Sequence, residues 1–141
     1  MSLEKEIDYE IKNSEIDLSF KLSMYGFSAA VIGEGMQIAS MKNLMDHNWM
    51  TGHLSDFGIV FQLSAVAYEI TRLKFNKYIS SAATIVPPII ATIHEYFPFT
   101  YENVTDHTDT ALYWLGWGAA LGGIKYLSSR KAKKSEVQYA N

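Results

Sequence analysis

Imidazole and carboxylate side chains recur near the ends of the apolar stretches of this chain, at His53, Asp56, His94, Glu95 and Asp109, and inside the first of them, at Glu34. Together these groups can ligate Zn, Cu, Fe or Mn, because neutral imidazole and carboxylate oxygen are ordinary donors for such ions. The same groups can also pass protons as general acids and bases. His53 and Asp56 stand three residues apart, so a helix turns both to one face. The six are taken as candidate metal ligands, and no catalytic or organic-cofactor residue is singled out. Their spacing matches no diagnostic motif: there is no His-Glu-x-x-His, and no Glu-x-x-His repeated on two helices as di-iron bundles require. Two plainer readings compete. His47, Asp106 and His107 fall between apolar stretches, where solvation accounts for them. His53, Asp56 and Asp109 could form a hydrogen-bonded cluster with no metal.

Four apolar stretches must position these groups: Leu22–Met41, Leu54–Leu73, Tyr78–Phe97 and Asp109–Ser128. Each is near the ~20 residues with which a helix crosses ~30 Å of hydrocarbon. The expected fold is therefore all-α, an integral membrane protein built as a bundle of four transmembrane helices. A soluble bundle competes, because Glu34, Asp56 and Glu69 cut the stretches into shorter runs of the kind found in core helices. The third stretch favours the membrane, since it has small hydroxyls where a soluble bundle helix needs a charged face. Its Pro87-Pro88 pair must kink it, and membrane bundles tolerate such kinks.

The basic residues supply a separate test. Lys5, Lys12 and Lys21 precede the first stretch, Arg72, Lys74 and Lys77 join the second to the third, and Lys125 and Arg130 to Lys134 close the chain. The other two connections hold only Lys42. The excess of Lys and Arg on one side puts both termini in the cytoplasm of a multi-pass protein of the cell membrane. All four histidines then lie on the outer side. Trp49, Tyr96, Phe97, Phe99 and Tyr101 form an outer aromatic belt, and Phe75, Tyr78 and Tyr126 an inner one. The expected division is an acidic cytoplasmic segment at 1–17, a helical transmembrane domain at 18–128 and a basic cytoplasmic tail at 129–141.

Composition removes several functions. The net charge is −3, which argues against nucleic acid as a partner. The absence of cysteine removes disulfides, thiolate metal sites and cysteine nucleophiles. The acidic first residues lack the features of a cleaved signal peptide, so the first span would serve as an uncleaved anchor. Leu3, Ile7 and Ile11 could form one stripe of an N-terminal helix, although its acidity disfavours anionic lipid. The basic end is read as a topology anchor.

Helical spacing gives further expectations. Asp109, Tyr113, Gly116, Ala120 and Gly123 share one narrow face, whose small residues mark a close helix contact. Asp109 should therefore point into the bundle. Gly118 and Gly122 form a second close-packing face. An ionisable group such as Glu34 inside a span costs ~2.5–3.5 kcal/mol on insertion scales, so it should face the interior, a partner or a cavity. Glu69 is expected to pair with Arg72, one turn away, on a stripe that also carries Gln62.

From Glu95 to Gly123 the chain resembles the VanZ-like membrane proteins. Glu95-Tyr96-Phe97-Pro98, then Asp109 to Gly116, then Ala119 to Gly122 follow that family's outline: a Glu ending one span, a Pro-containing outer segment, and an Asp opening a Gly-rich final span. His53 would answer to a family histidine, and the likeness covers about residues 46–127. Tyr113 stands where the family has Asn, the Gln after the Glu is missing, and no Arg lies between Glu95 and Asp109. The resemblance implies a membrane fold with an outer-face site, tied to the cell envelope and glycopeptide resistance.

Three functions follow as expectations. The first is a non-catalytic accessory subunit of a larger membrane complex, such as a respiratory or ammonia/methane monooxygenase-type assembly, with the lipid bilayer and other membrane subunits as partners. The second is a stand-alone VanZ-like protein whose outer His/Asp/Glu site, with Zn, Cu or Fe, acts on a lipid-linked or small polar substrate. The third is a small proton-linked transporter using Glu34.

Overall fold

A computed structural model describes residues 3–44, 49–97 and 107–139. They form five helices: α1 (Leu3–Met41), α2 (Trp49–Lys74), α3 (Lys77–Ala83), α4 (Val86–Tyr96) and α5 (His107–Tyr139). No strand occurs among the described residues. α2 occupies the centre and packs against each of the other four helices.

The all-helical expectation holds, but the membrane-spanning bundle does not. Among the described residues, no helix is long and apolar enough to cross a membrane. The causes lie in the sequence of each element. Gly26, Gly33, Gly35, Ser23, Ser28 and Ser40 dilute the apolar part of α1, with Glu34 in its midst. α2 carries Asp56, Glu69, Arg72 and Lys74. The third stretch is two helices, of 7 and 11 residues. Pro87 and Pro88 sit in the first turn of α4, where a missing N–H costs nothing but a continuous helix cannot pass. With the spans goes the bundle of four transmembrane helices; the described residues form five helices instead. Pro98, Phe99 and Tyr101 lie outside the described residues.

The helices meet through small residues. A Cβ at Gly58 of α2 would stand 2.5 Å from the Ala30 nitrogen of α1, and one at Gly26 would stand 2.7 Å from the Gln62 nitrogen. On the other side, a Cβ at Gly116 of α5 would come 2.8 Å from the Phe57 carbonyl oxygen. Both neighbours thus touch α2 at backbone distance, as small-residue stripes allow. Ala120 and Ile124 are fully buried on the expected face of α5. Gly118 and Gly122 meet nothing, so the second face of α5 is open.

The core is correspondingly small and polar: Ser19, Ser64, Ser80 and Thr84 have no exposure at all. The Trp117 indole N–H donates to the Thr84 hydroxyl (2.9 Å), tying α5 to the end of α3. Large apolar side chains stand outside instead, among them Phe20, Met24, Phe27, Val31 and Ile32 along α1.

At the end of the bundle away from the candidate ligands, the Arg72 Nε–H donates to Glu15 (2.6 Å) and the Tyr68 hydroxyl donates to the same carboxylate oxygen (3.0 Å). Arg72 therefore pairs with buried Glu15, 57 residues away, and not with Glu69 as the local spacing suggests. Burial raises the Glu69 carboxyl above its usual range. α1 runs unbroken through the expected boundary at residue 17, and α5 continues past residue 129.

Candidate functional site

Three helix ends build the site. His53 and Asp56 lie one turn apart near the start of α2, and Asp109 lies in the first turn of α5. An acid in that position is favoured by the helix dipole. The Gly116 contact with Phe57 fixes α5 against α2, and two turns before Gly116 that approach brings Asp109 beside His53. Glu95, in the last turn of α4, is buried.

His53 Nδ1 and Asp109 Oδ1 are 2.6 Å apart, and each side chain keeps about a fifth of its exposure. This is the short distance of a charge-assisted hydrogen bond. With the Nδ1 proton donated to Asp109, Nε2 is the nitrogen that offers a lone pair. Asp56 joins through a hydrogen bond with Asp109, and its carboxyl is pushed up to about 7. Burial is the largest cause; the charge and hydrogen bond of Asp109 follow, Glu95 adds to them, and His53 opposes. Behind these groups the Tyr113 hydroxyl bonds to Glu95, and burial, followed by the charges of Asp56, Glu95 and Asp109, holds the phenol above its ordinary range. One ligand atom from each of His53, Asp56 and Asp109 lies within 4.8 Å of the others.

The imidazole of His53 and the carboxylates of Asp56 and Asp109 have two chemical uses. They can hold a divalent cation through nitrogen and oxygen donors, or share a proton at Asp56, whose carboxyl sits where a general acid–base group works best.

The structure thus gathers His53, Asp56, Glu95 and Asp109, and adds Tyr113. The signal for Tyr113 was its position four residues after Asp109, on the same helix face. His94 is exposed at the end of α4 and lines an adjoining groove with Asp56 and Tyr113. Glu34 is exposed on α1, beside Gly35, which meets nothing; the interior position expected for a charge inside a span does not apply. His107 is exposed and bonds with the Tyr96 hydroxyl at 2.8 Å, joining the ends of α4 and α5. His47 and Asp106 lie outside the described residues. Tyr68 and Arg72 are one turn apart on α2, but Glu15 had no local signal for joining them, since it lies 53 and 57 residues away.

No protein-family model, curated protein or solved structure matches this chain.

Proposed function

We propose that this protein binds a divalent transition-metal ion through His53, Asp56 and Asp109, with Glu95 and Tyr113 as positioning residues, and uses it to hold an oxygen-donor ligand. The observation that supports this most directly is the convergence of three ligand atoms within 4.8 Å at a place where like charges crowd. Burial and the neighbouring carboxylates force Asp56 towards its protonated form, and a cation would relieve that repulsion in the proton's place. Nitrogen and carboxylate donors suit Zn, Fe or Mn, with Zn favoured over Fe and Fe over Mn in intrinsic affinity.

Equilibrium dialysis with Zn²⁺ and spectroscopic titration with Mn²⁺ test the proposal. One ion per chain is expected, with uptake abolished by His53→Ala or Asp109→Asn. Glu95→Gln should weaken it about 10–100-fold, as loss of a supporting hydrogen bond does. Because the metal must displace the Asp56 proton, affinity should rise with pH up to about 7 and then level off. Absence of uptake, or uptake indifferent to His53 and Asp109, refutes the proposal.

The exposed apolar flank of α1 supports a second element, that the chain acts as a subunit of a larger assembly. Phe20, Met24, Phe27, Val31 and Ile32 are each about half exposed or more, forming a contiguous apolar surface of the kind that marks an interaction face. Native mass measurement of gently extracted material should show stoichiometric partner chains; a monodisperse single chain refutes this element.

A further inference from the structure

The end of the bundle that holds the Glu15–Arg72 pair also holds a pocket of about 410 Å³, within the ~300–1,000 Å³ span of small-molecule sites. None of the proposed metal ligands lines it. α1, α2, α3 and α5 all contribute to its wall. Lys77 and Ser81 stand one turn apart on α3, and Lys125, Ser128 and Ser129 share one face of α5 by the same spacing. Two helices therefore each bring a lysine and a hydroxyl to one cavity. Ile11, Tyr68 and Tyr78 give it apolar surface as well.

The sign of the charge selects the ligand. Glu15 also lines the pocket, but the Arg72 Nε–H donates to it at 2.6 Å and the Tyr68 hydroxyl at 3.0 Å. Its charge is thus answered from within the protein. Among the described residues no carboxylate pairs with Lys77 or Lys125; the ion pairs are those of Lys21, His53 and Arg72. Two positive charges are left uncompensated at one cavity. The Lys77 ammonium lies 5.4 Å from the centroid of the Tyr78 ring, a cation–π distance that helps to hold it there.

A phosphate monoester carries a charge of about −1.5 to −2 at pH 7 and three strong acceptor oxygens. It would neutralise both lysines and still offer an oxygen to a serine. A carboxylate has one charge and two oxygens, so it would leave one lysine unanswered. Ser128 and Ser129 donate to carbonyls three residues back, and a hydroxyl can rotate to serve a ligand instead. What the phosphate is attached to meets Ile11 and Tyr78. The Tyr78 side chain is 75% exposed, and an open aromatic ring favours another ring beside it.

We infer that this pocket binds a small aryl phosphate monoester, its phosphate held by Lys77 and Lys125 and its aromatic body packed on Tyr78. The inference is independent of the proposed metal site, with which the pocket shares no residue.

Calorimetric titration with phenyl phosphate, inorganic phosphate and benzoate tests it. Phenyl phosphate should bind at least tenfold tighter than either of the others. Lys77→Ala and Lys125→Ala should each weaken it about 10–100-fold, as loss of one hydrogen bond to a charged group does. Both lysines are exposed, so each variant should keep the wild-type circular dichroism spectrum. Lys42→Ala, just past the other end of α1, should leave binding unchanged. Tyr78→Ala should bring phenyl phosphate and inorganic phosphate to about equal affinity. No binding of phenyl phosphate overturns the inference, as does binding indifferent to both pocket lysines or weakened equally by Lys42→Ala. Benzoate binding as tightly as phenyl phosphate overturns the phosphate, and inorganic phosphate binding as tightly overturns the aromatic body. Phosphatidylcholine vesicles with and without phosphatidic acid separate the two sources of a phosphate. Lysine-dependent binding to phosphatidic acid, with none to phenyl phosphate, assigns the pocket to a lipid headgroup and overturns the soluble ligand.

Discussion

Replacing Asp56 with Asn should make the protein more stable at alkaline pH, with a gain that is about a third of its full size at pH 5 and complete above about 7. The folded carboxyl sits at about 7 against an ordinary 3.8. Between those values the folded state keeps a proton that the unfolded chain has released. Stability therefore falls as pH rises through this window, and the loss is complete above about 7. Taken in full, at ~1.36 kcal/mol per pH unit, the interval corresponds to about 4 kcal/mol. Asp56 is only partly buried, and screening by solvent brings the expected effect to about 2 kcal/mol. Asn cannot ionise, so its curve lacks this component. Chemical denaturation at pH 5, 6, 7 and 8 with a chelator present should show the two proteins diverging towards high pH. By thermal melting the gap at pH 8 should be roughly 6 °C, at ~2–4 °C per kcal/mol for a chain of this size. Saturating metal should reverse the order, since an ion at 100 times its Kd adds ~2.7 kcal/mol to the protein that binds it. Parallel curves for wild type and variant would refute the carboxylate crowding on which the site rests.

Two further outcomes test how the bundle holds together. Arg72→Ala leaves the buried Glu15 carboxylate with Tyr68 alone from this cluster and should cost about 3–5 kcal/mol, while the Glu15→Gln/Arg72→Met pair should recover most of it; denaturant midpoints that do not separate single from double variant would count against this ion pair. Gly58→Ala drives a Cβ into the α1 backbone and should destabilise by about 1–3 kcal/mol, whereas Gly118→Ala meets open space and should stabilise by about 0.5–1 kcal/mol. Equal effects at the two glycines would rule out the close α1–α2 contact.

Sequence spacing carried some parts of this structure and misled about others. The face formed by Asp109, Tyr113, Gly116 and Ala120 was legible, because helical periodicity alone puts those residues in line and small side chains alone permit close approach. The His53–Asp56 pairing was legible for the same reason. The apolar stretches were legible as helices, but their lengths suggested membrane spans, which the glycines and serines of α1 and the proline break before α4 do not support. Glu34 was expected inward because a charge inside a spanning helix is costly; α1 is not apolar enough to span, and the side chain is exposed. Arg72 was paired with its helical neighbour Glu69, whereas the helix packing supplies Glu15 from α1.

The chain by itself determined that its elements are helical, the turn-by-turn neighbours within them, and the chemical types available along each, since all of these depend on interactions a few residues apart. Tertiary structure alone decided which ends meet. The backbone contacts at Gly58 and Gly116 set α1 and α5 on α2, bringing Asp109 within 2.6 Å of His53 across 56 residues of sequence and leaving the groove between α2 and α4 open beside them. The physical reason is range. Backbone hydrogen bonding and side-chain spacing are local, whereas burial and the crowding of like charges depend on the whole packed arrangement.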